Sequence, residues 1–315
     1  MQEKLEKIIK SSRDFLEFED KVNRGDFAKT IMLISKDSDY SFEFARLLST
    51  LIFGDGESYQ KVIAYSHPDL KIYPTKDKLL VADSQEIVFE SAVKPIFAKK
   101  KVFIIRDIDK GMEAAQNKLL KTLEEPESNV YFILTTTNSN LVLPTIRSRC
   151  VKTELSKLNE SEIKSVIGQG ENSSLAIVLS EGFIGKAEKL ARKKDLRDIF
   201  ENVLSVITDL KASKDLLVYS KKLSAYYVES DLIFLSFAQI IEDLLYIKSG
   251  KSDAIKLKDY QAKLERVQVE YTIKALTEIR ALLDKAVKEM MYNCNFIVVL
   301  ENLILNILEV KYLCR

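Results

Sequence analysis

Residues 101–150 read KVFIIRDIDK GMEAAQNKLL KTLEEPESNV YFILTTTNSN LVLPTIRSRC. Lys101 to Arg106 is an apolar run of the length of one strand, and Val130 to Thr135 is a second. Both runs are continuous rather than alternating, the pattern of strands buried on both faces. Between them, residues 112–125 follow a helical period with Leu119, Leu120 and Leu123 on one packing face. Pro126 cannot continue that helix and stops it. A buried strand, a helix and a second buried strand predict a parallel sheet covered by helices.

The pattern extends in both directions. Residues 2–23 predict one amphipathic helix with Leu5, Ile8, Ile9, Phe15 and Phe18 inward. Ala28 to Ser35 predicts another buried strand, followed by a helix with Phe42, Phe44, Ala45, Leu47, Leu48 and Leu51 as its apolar positions. After Gly54–Gly56, strand-like pieces appear at Leu70 to Tyr73 and Leu79 to Ala82. Asp83 or Ser84 suits the cap of a helix running to Phe97, with Ile87, Val88, Ala92, Val93 and Ile96 inward. The sheet ends near Cys150 to Leu155, after a turn at Asn138–Asn140. From residue 156 onward the pattern is helical, with breaks near Ser249–Ser252 and Tyr292–Asn295. The expected fold is α/β followed by all-α, in three parts: residues 1–155, 156–211 and 212–315.

Composition narrows the function classes. Lys+Arg total 48 against 47 Asp+Glu, so net charge +1 gives no global basic footprint for nucleic acid. Cys150, Cys294 and Cys314 are scattered, with no CxxC pair, and His67 is the single histidine. Neither a disulfide framework nor a metal site is suggested, and no cofactor is expected. The charged N-terminus lacks the apolar core of a signal peptide, and no apolar run reaches the ~20 residues of a membrane span. Phe296 to Leu308 comes nearest but holds Glu301, Asn302 and Asn306. A cytoplasmic protein is the expectation.

Four fragments in order, KVFIIRDIDK, LLKTLEEP (119–126), YFILTTTN (131–138) and SRC (148–150), resemble the bacterial clamp-loader family of AAA+ proteins. The resemblance covers most of residues 1–200. It implies an AAA+-type parallel sheet, a small helical lid domain and a helical C-terminal collar that joins subunits into a ring. It also gives Ser148–Arg149–Cys150 a role: Arg149 would act as an arginine finger on nucleotide bound by the adjacent subunit. The bland alternative for Arg149 is a surface arginine paired with a local carboxylate. Arg147 is a weaker second contributor, and Cys150 reads as a small buried residue because no histidine lies near it.

Against the family pattern, three nucleotide-contacting elements are altered. Anchoring on Ala45–Leu48 places the phosphate-binding loop at Ser35 to Phe42, SKDSDYSF, which contains no glycine. Ser41 stands where the family has its lysine and Phe42 where it has threonine, while Asp37 and Asp39 bring negative charge beside the phosphates' place. Arg106 stands at the metal-binding aspartate position of the Walker B strand, with Asp107 after it. In SEGFIGKA (180–187), Gly185 stands where ATP-binding members carry arginine. No cysteine lies between Leu51 and His67–Pro68–Asp69, so the family's zinc module is missing and His67 reads as a turn or packing residue.

These departures imply a chain that is itself non-catalytic within a DNA polymerase III holoenzyme. Its partners would be the ATPase (gamma/tau) subunits and the delta subunit, with the sliding clamp reached indirectly and primed DNA through the complex. The basic clusters Lys94, Lys99, Lys100, Lys101 and Lys186, Lys189, Arg192, Lys193, Lys194 are open between a solvated face and sequence-independent phosphate contact. Two other readings stand beside this one. One is a working gamma/tau-type ATPase, which loop 35–42 opposes. The other is an adaptor of a different AAA+ DNA pathway, which the SRC and LLKTLEEP context opposes.

Overall fold

The structure is a computed structural model describing residues 2–292 and 294–313; Cys314 lies outside these. The chain divides into two compact units. One comprises residues 1–167 with Gly182–Lys186, the other Gly168–Glu181 with residues 187–315.

In chain order the first unit contains α1 (Gln2–Ser11), α2 (Arg13–Asn23), β1 (Thr30–Ile34), α3 (Ser38–Phe53), α4 (Gly56–Ile63), β2 (Leu70–Tyr73), α5 (Val81–Ser91) and β3 (Lys101–Ile105). It continues with α6 (Glu113–Glu124), β4 (Val130–Thr136), α7 (Pro144–Arg147), β5 (Val151–Glu154) and α8 (Glu160–Ile167). The five strands form one parallel sheet in the order β2-β3-β4-β1-β5. Strands β1, β3 and β4 lie inside the sheet and are the continuous apolar runs, while edge strand β5 is largely exposed. Phe103 and Phe132 stack at 5.1 Å between centroids in a core shared with Leu119, Leu123, Ile105 and Leu134. The parallel sheet covered by helices that the sequence predicts is present.

Several local expectations are corrected. Residues 2–23 form two helices, because the Ser12 hydroxyl accepts from the Phe15 amide and starts α2 afresh. Leu5, Ile9, Phe15 and Phe18 are nevertheless buried, as the periodicity required. Leu79 to Ala82 is no strand; Leu79 is buried in the core and α5 starts at Val81. Asp83 does not cap from the N-cap position but accepts the Leu80 amide from within the first turn. Helix α5 ends at Ser91, not Phe97. Pro95 disfavours a helical Lys94, and the buried Asp69 carboxylate accepts the Ile96, Phe97 and Ala98 amides, each at 2.7 Å. Ala92, Val93 and Ile96 therefore face solvent rather than the core. Helix α4, capped by Asp55 onto the Ser58 amide, has no counterpart in the sequence reading.

The second unit is helical: α9 (Ser173–Leu179), most of α10 (Ile184–Ala191), α11 (Leu196–Asp209), α12 (Ser213–Ser224), α13 (Ser230–Lys248), α14 (Gln261–Val267), α15 (Ile273–Met291) and α16 (Phe296–Leu313). Phe234, Phe237, Leu244, Phe296, Leu300 and Leu303 are buried in it. Two polar ties fasten its ends: Tyr271 donates to the Ile207 carbonyl at 2.7 Å, and Lys311 pairs with Glu270 at 2.7 Å. No helix among the described residues is long and apolar enough to cross a membrane.

Candidate functional site

The altered loop, Arg106 with Asp107, and the end of β4 converge at the carboxyl edge of the sheet, where parallel α/β sheets bind ligands. Strand β1 ends at Ile34, and only Ser35, Lys36 and Asp37 separate it from α3. Ser35 donates its amide to the Thr136 carbonyl, and its hydroxyl oxygen accepts the Asp37 amide. Asp37 caps α3, accepting the Tyr40 amide on Oδ1 at 3.1 Å. Its other oxygen accepts the Gly185 amide at 2.7 Å, from the first turn of α10.

A buried carboxylate thus sits between two helix N-termini, the arrangement that otherwise holds a phosphate. No lysine or arginine pairs with Asp37 among the described residues, so backbone N–H dipoles carry its charge. Gly185 permits the approach. A Cβ there would lie 2.6 Å from Asp37 Oδ1 and 3.1 Å from Asp39 Oδ2, inside van der Waals contact.

Next to this carboxylate the remaining altered residues satisfy one another. Arg106 pairs with Asp39 at 2.6 Å and donates to the Ser38 hydroxyl, while its guanidinium lies over the Phe42 ring. Ser38 donates to Asp107 Oδ2 at 2.8 Å, and Lys110 pairs with the same oxygen. Asp107 has left-handed backbone (φ 49°), and its Oδ1 is buried without a partner. Ser41 is fully buried and bonded back to the Ser38 carbonyl, so it faces its own helix and not an open loop.

Arg149 lies at the other end of α7, apart from this cluster. Its Nη2 pairs with Glu124 at 2.8 Å and its Nη1 donates to the Thr145 carbonyl at 2.7 Å, while Nε is buried without a partner. The side chain stays 28% exposed. Arg147 has only a 3.5 Å contact with Asn140. The Ser148 hydroxyl is spent on the Thr145 carbonyl. Burial pushes the Cys150 thiol up to about 12, leaving it unreactive near neutral pH.

His67 stacks on Phe53 at 4.0 Å between centroids and bonds to Ser58 and to the Asp69 amide, a packing role. The basic clusters are partly consumed within the fold. Lys101 is buried against Glu90, Lys100 donates to the Ile52 carbonyl, and Lys193 pairs with Glu229 and Asp195. The sequence reading noted the charge of Asp37 but not its bond to Gly185, and it did not single out Glu124. An aspartate three residues before a helical amide signals the cap of Asp37 on α3, but nothing local signals its bond to Gly185. No sequence signal brings α6 and Arg149 together.

The family described as "DNA polymerase III, delta subunit" matches residues 11–159. The DNA polymerase III gamma subunit of Buchnera aphidicola (subsp. Baizongia pistaciae) is 30% identical over 220 residues, 61% of this chain and 59% of that one. The delta-prime subunit of Bacillus subtilis is 25% identical over 264 residues, 79% of each chain. That of Haemophilus influenzae is 38% identical over 112 residues, 34% of this chain and 33% of that one. The chain thus spans about three fifths of the gamma relative and a third of the Haemophilus relative. The likeness to clamp-loader chains read from residues 101–150 is borne out.

Proposed function

We propose, from this chain's kinship with the delta-prime and gamma/tau subunits of bacterial DNA polymerase III, that it is a delta-prime-type clamp-loader subunit without ATPase activity. It completes the complex that places a sliding clamp on primed DNA, beside gamma/tau ATPase subunits and a delta subunit. The observation that carries this reading is the Asp37 carboxylate bonded to the N-terminal amides of both α3 and α10. A nucleotide phosphate would have to displace a buried like charge there, and a serine, Ser41, stands where a lysine would neutralise it. Arg106, where a metal-binding carboxylate is needed, adds a cation that would repel Mg²⁺.

In this reading residues 156–211 act as the lid and residues 212–315 as the collar. The exposed apolar side chains Leu217, Val228, Ile297 and Val298 suit contacts with other collars. Arg149 is the contribution to chemistry, a planar cation offered to phosphate held by the next subunit.

Two measurements test the proposal. Titration with a labelled ATP analogue should give no binding; a micromolar dissociation constant would refute the lost-site reading. In the reconstituted complex, Arg149→Ala should leave assembly intact and lower DNA-stimulated ATP turnover at least about tenfold. Unchanged turnover would reject the finger.

A further inference from the structure

We infer that Glu124 is a positioning residue for Arg149, holding its guanidinium in the orientation in which it meets a neighbour's phosphate. The inference rests on the finger reading of Arg149 and adds a second residue to it.

An arginine side chain has several rotatable bonds, and a finger acts only if its planar fork is already aimed. Arg149 is aimed by two acceptors on different elements: Glu124 Oε2 at 2.8 Å from Nη2, and the Thr145 carbonyl at 2.7 Å from Nη1. Both anchors are fixed. Glu124 is the last residue of α6, whose end is tied to the sheet by the Thr30 hydroxyl donating to the Leu123 carbonyl. Lys29 holds the following turn through the Pro126 carbonyl. Thr145 belongs to α7, whose start is tied to α6 by the Leu143 amide on Gln116 Oε1. The two acceptors therefore share α6 as a common base.

Each terminal nitrogen spends one N–H on an anchor and keeps a second for an incoming oxygen. Arg147 is the internal contrast. It is two residues away but has only one long contact, to an exposed asparagine, so nothing comparable aims it.

The pair is open to solvent, with Glu124 53% exposed, so it adds little to folding stability. That separates its proposed role from a structural one. Removing Glu124 should leave the fold intact and let the guanidinium pivot about its bond to Thr145.

The test uses the whole reconstituted loader with Glu124→Ala, Glu124→Gln, Arg149→Ala and the Glu124→Ala/Arg149→Ala double variant. We expect Glu124→Ala to lower kcat of DNA-stimulated ATP hydrolysis about two- to fivefold, the range of an exposed ion pair. KM and complex assembly should not change. Glu124→Gln keeps an acceptor and should restore most of the rate. In the Arg149→Ala background the second substitution should change nothing further. Turnover equal to or above wild type for Glu124→Ala, or an additional loss in the double variant, overturns the positioning role while leaving the finger standing. If Arg149→Ala itself has no effect, the finger reading fails and this inference fails with it.

Discussion

Replacing Asp37 with alanine removes two bonds at once, and the structure sets their size. The cap on the Tyr40 amide is of a kind whose loss costs about 1 kcal/mol. The bond to the Gly185 amide has a charged acceptor in a buried setting, a class that contributes about 1.5–3 kcal/mol. Against this, alanine relieves the desolvation of a buried carboxylate that no cation neutralises, which offsets roughly 1 kcal/mol. A net loss of about 1.5–3 kcal/mol remains. For a unit of this size it would lower the midpoint of thermal unfolding by about 3–12 °C. Asp37→Asn keeps an acceptor and should lose less than half as much. Urea unfolding of the full chain measures the free energy, and amide hydrogen exchange at Gly185 reports the second bond directly. A loss under about 0.5 kcal/mol, or unchanged protection at Gly185, would refute the claim that this carboxylate joins the two helix ends.

Gly185→Ala should destabilise the chain by a similar amount, because the added Cβ would sit 2.6 Å from Asp37 Oδ1. Combined with Asp37→Ala the two losses should fall short of their sum in the same urea assay, since the clash loses its closest partner and keeps only the longer contacts to Asp39. His67 gives a pH signature. Burial lowers its folded pKa below the unfolded 6.5, so the unfolded chain binds the proton first as pH falls. Its stabilising contribution is complete above pH 6.5 and declines as pH drops toward the lowered value. Protonation at Nδ1 would also set two donors face to face, because that nitrogen accepts the Asp69 amide. Asp69 and Asp55 favour the charged ring and Lys61 opposes it, and burial outweighs them. Stability measured from pH 7.5 to 5.5 should therefore fall more steeply for the wild type than for His67→Gln.

Strands β1, β3 and β4 were legible in the sequence because each is buried on both faces and so reads as an unbroken apolar run. Helix α6 was legible to its last turn because Pro126 ends it chemically, whatever packs against it. The altered loop and the arginine at 106 were also legible, since they are identities at fixed spacings. Helix α5 was misjudged because its end depends on Asp69, 22 residues before Ser91, drawing three amides out of register.

The sequence by itself determined which groups are present at the candidate site: a loop 35–42 without glycine, Arg106 after β3, and Arg149 after α7. Only the tertiary structure decided what those groups do to one another. Asp37 meets Gly185 across 148 residues, and Glu124 meets Arg149 across 25. Periodicity reports the environment of a side chain along its own element, whereas these contacts form where separate elements end. Their geometry is fixed by the packing of the whole sheet. Read as sequence, the Asp37 carboxylate is only a charge at the start of α3; in the fold it is the ligand that two helix ends share.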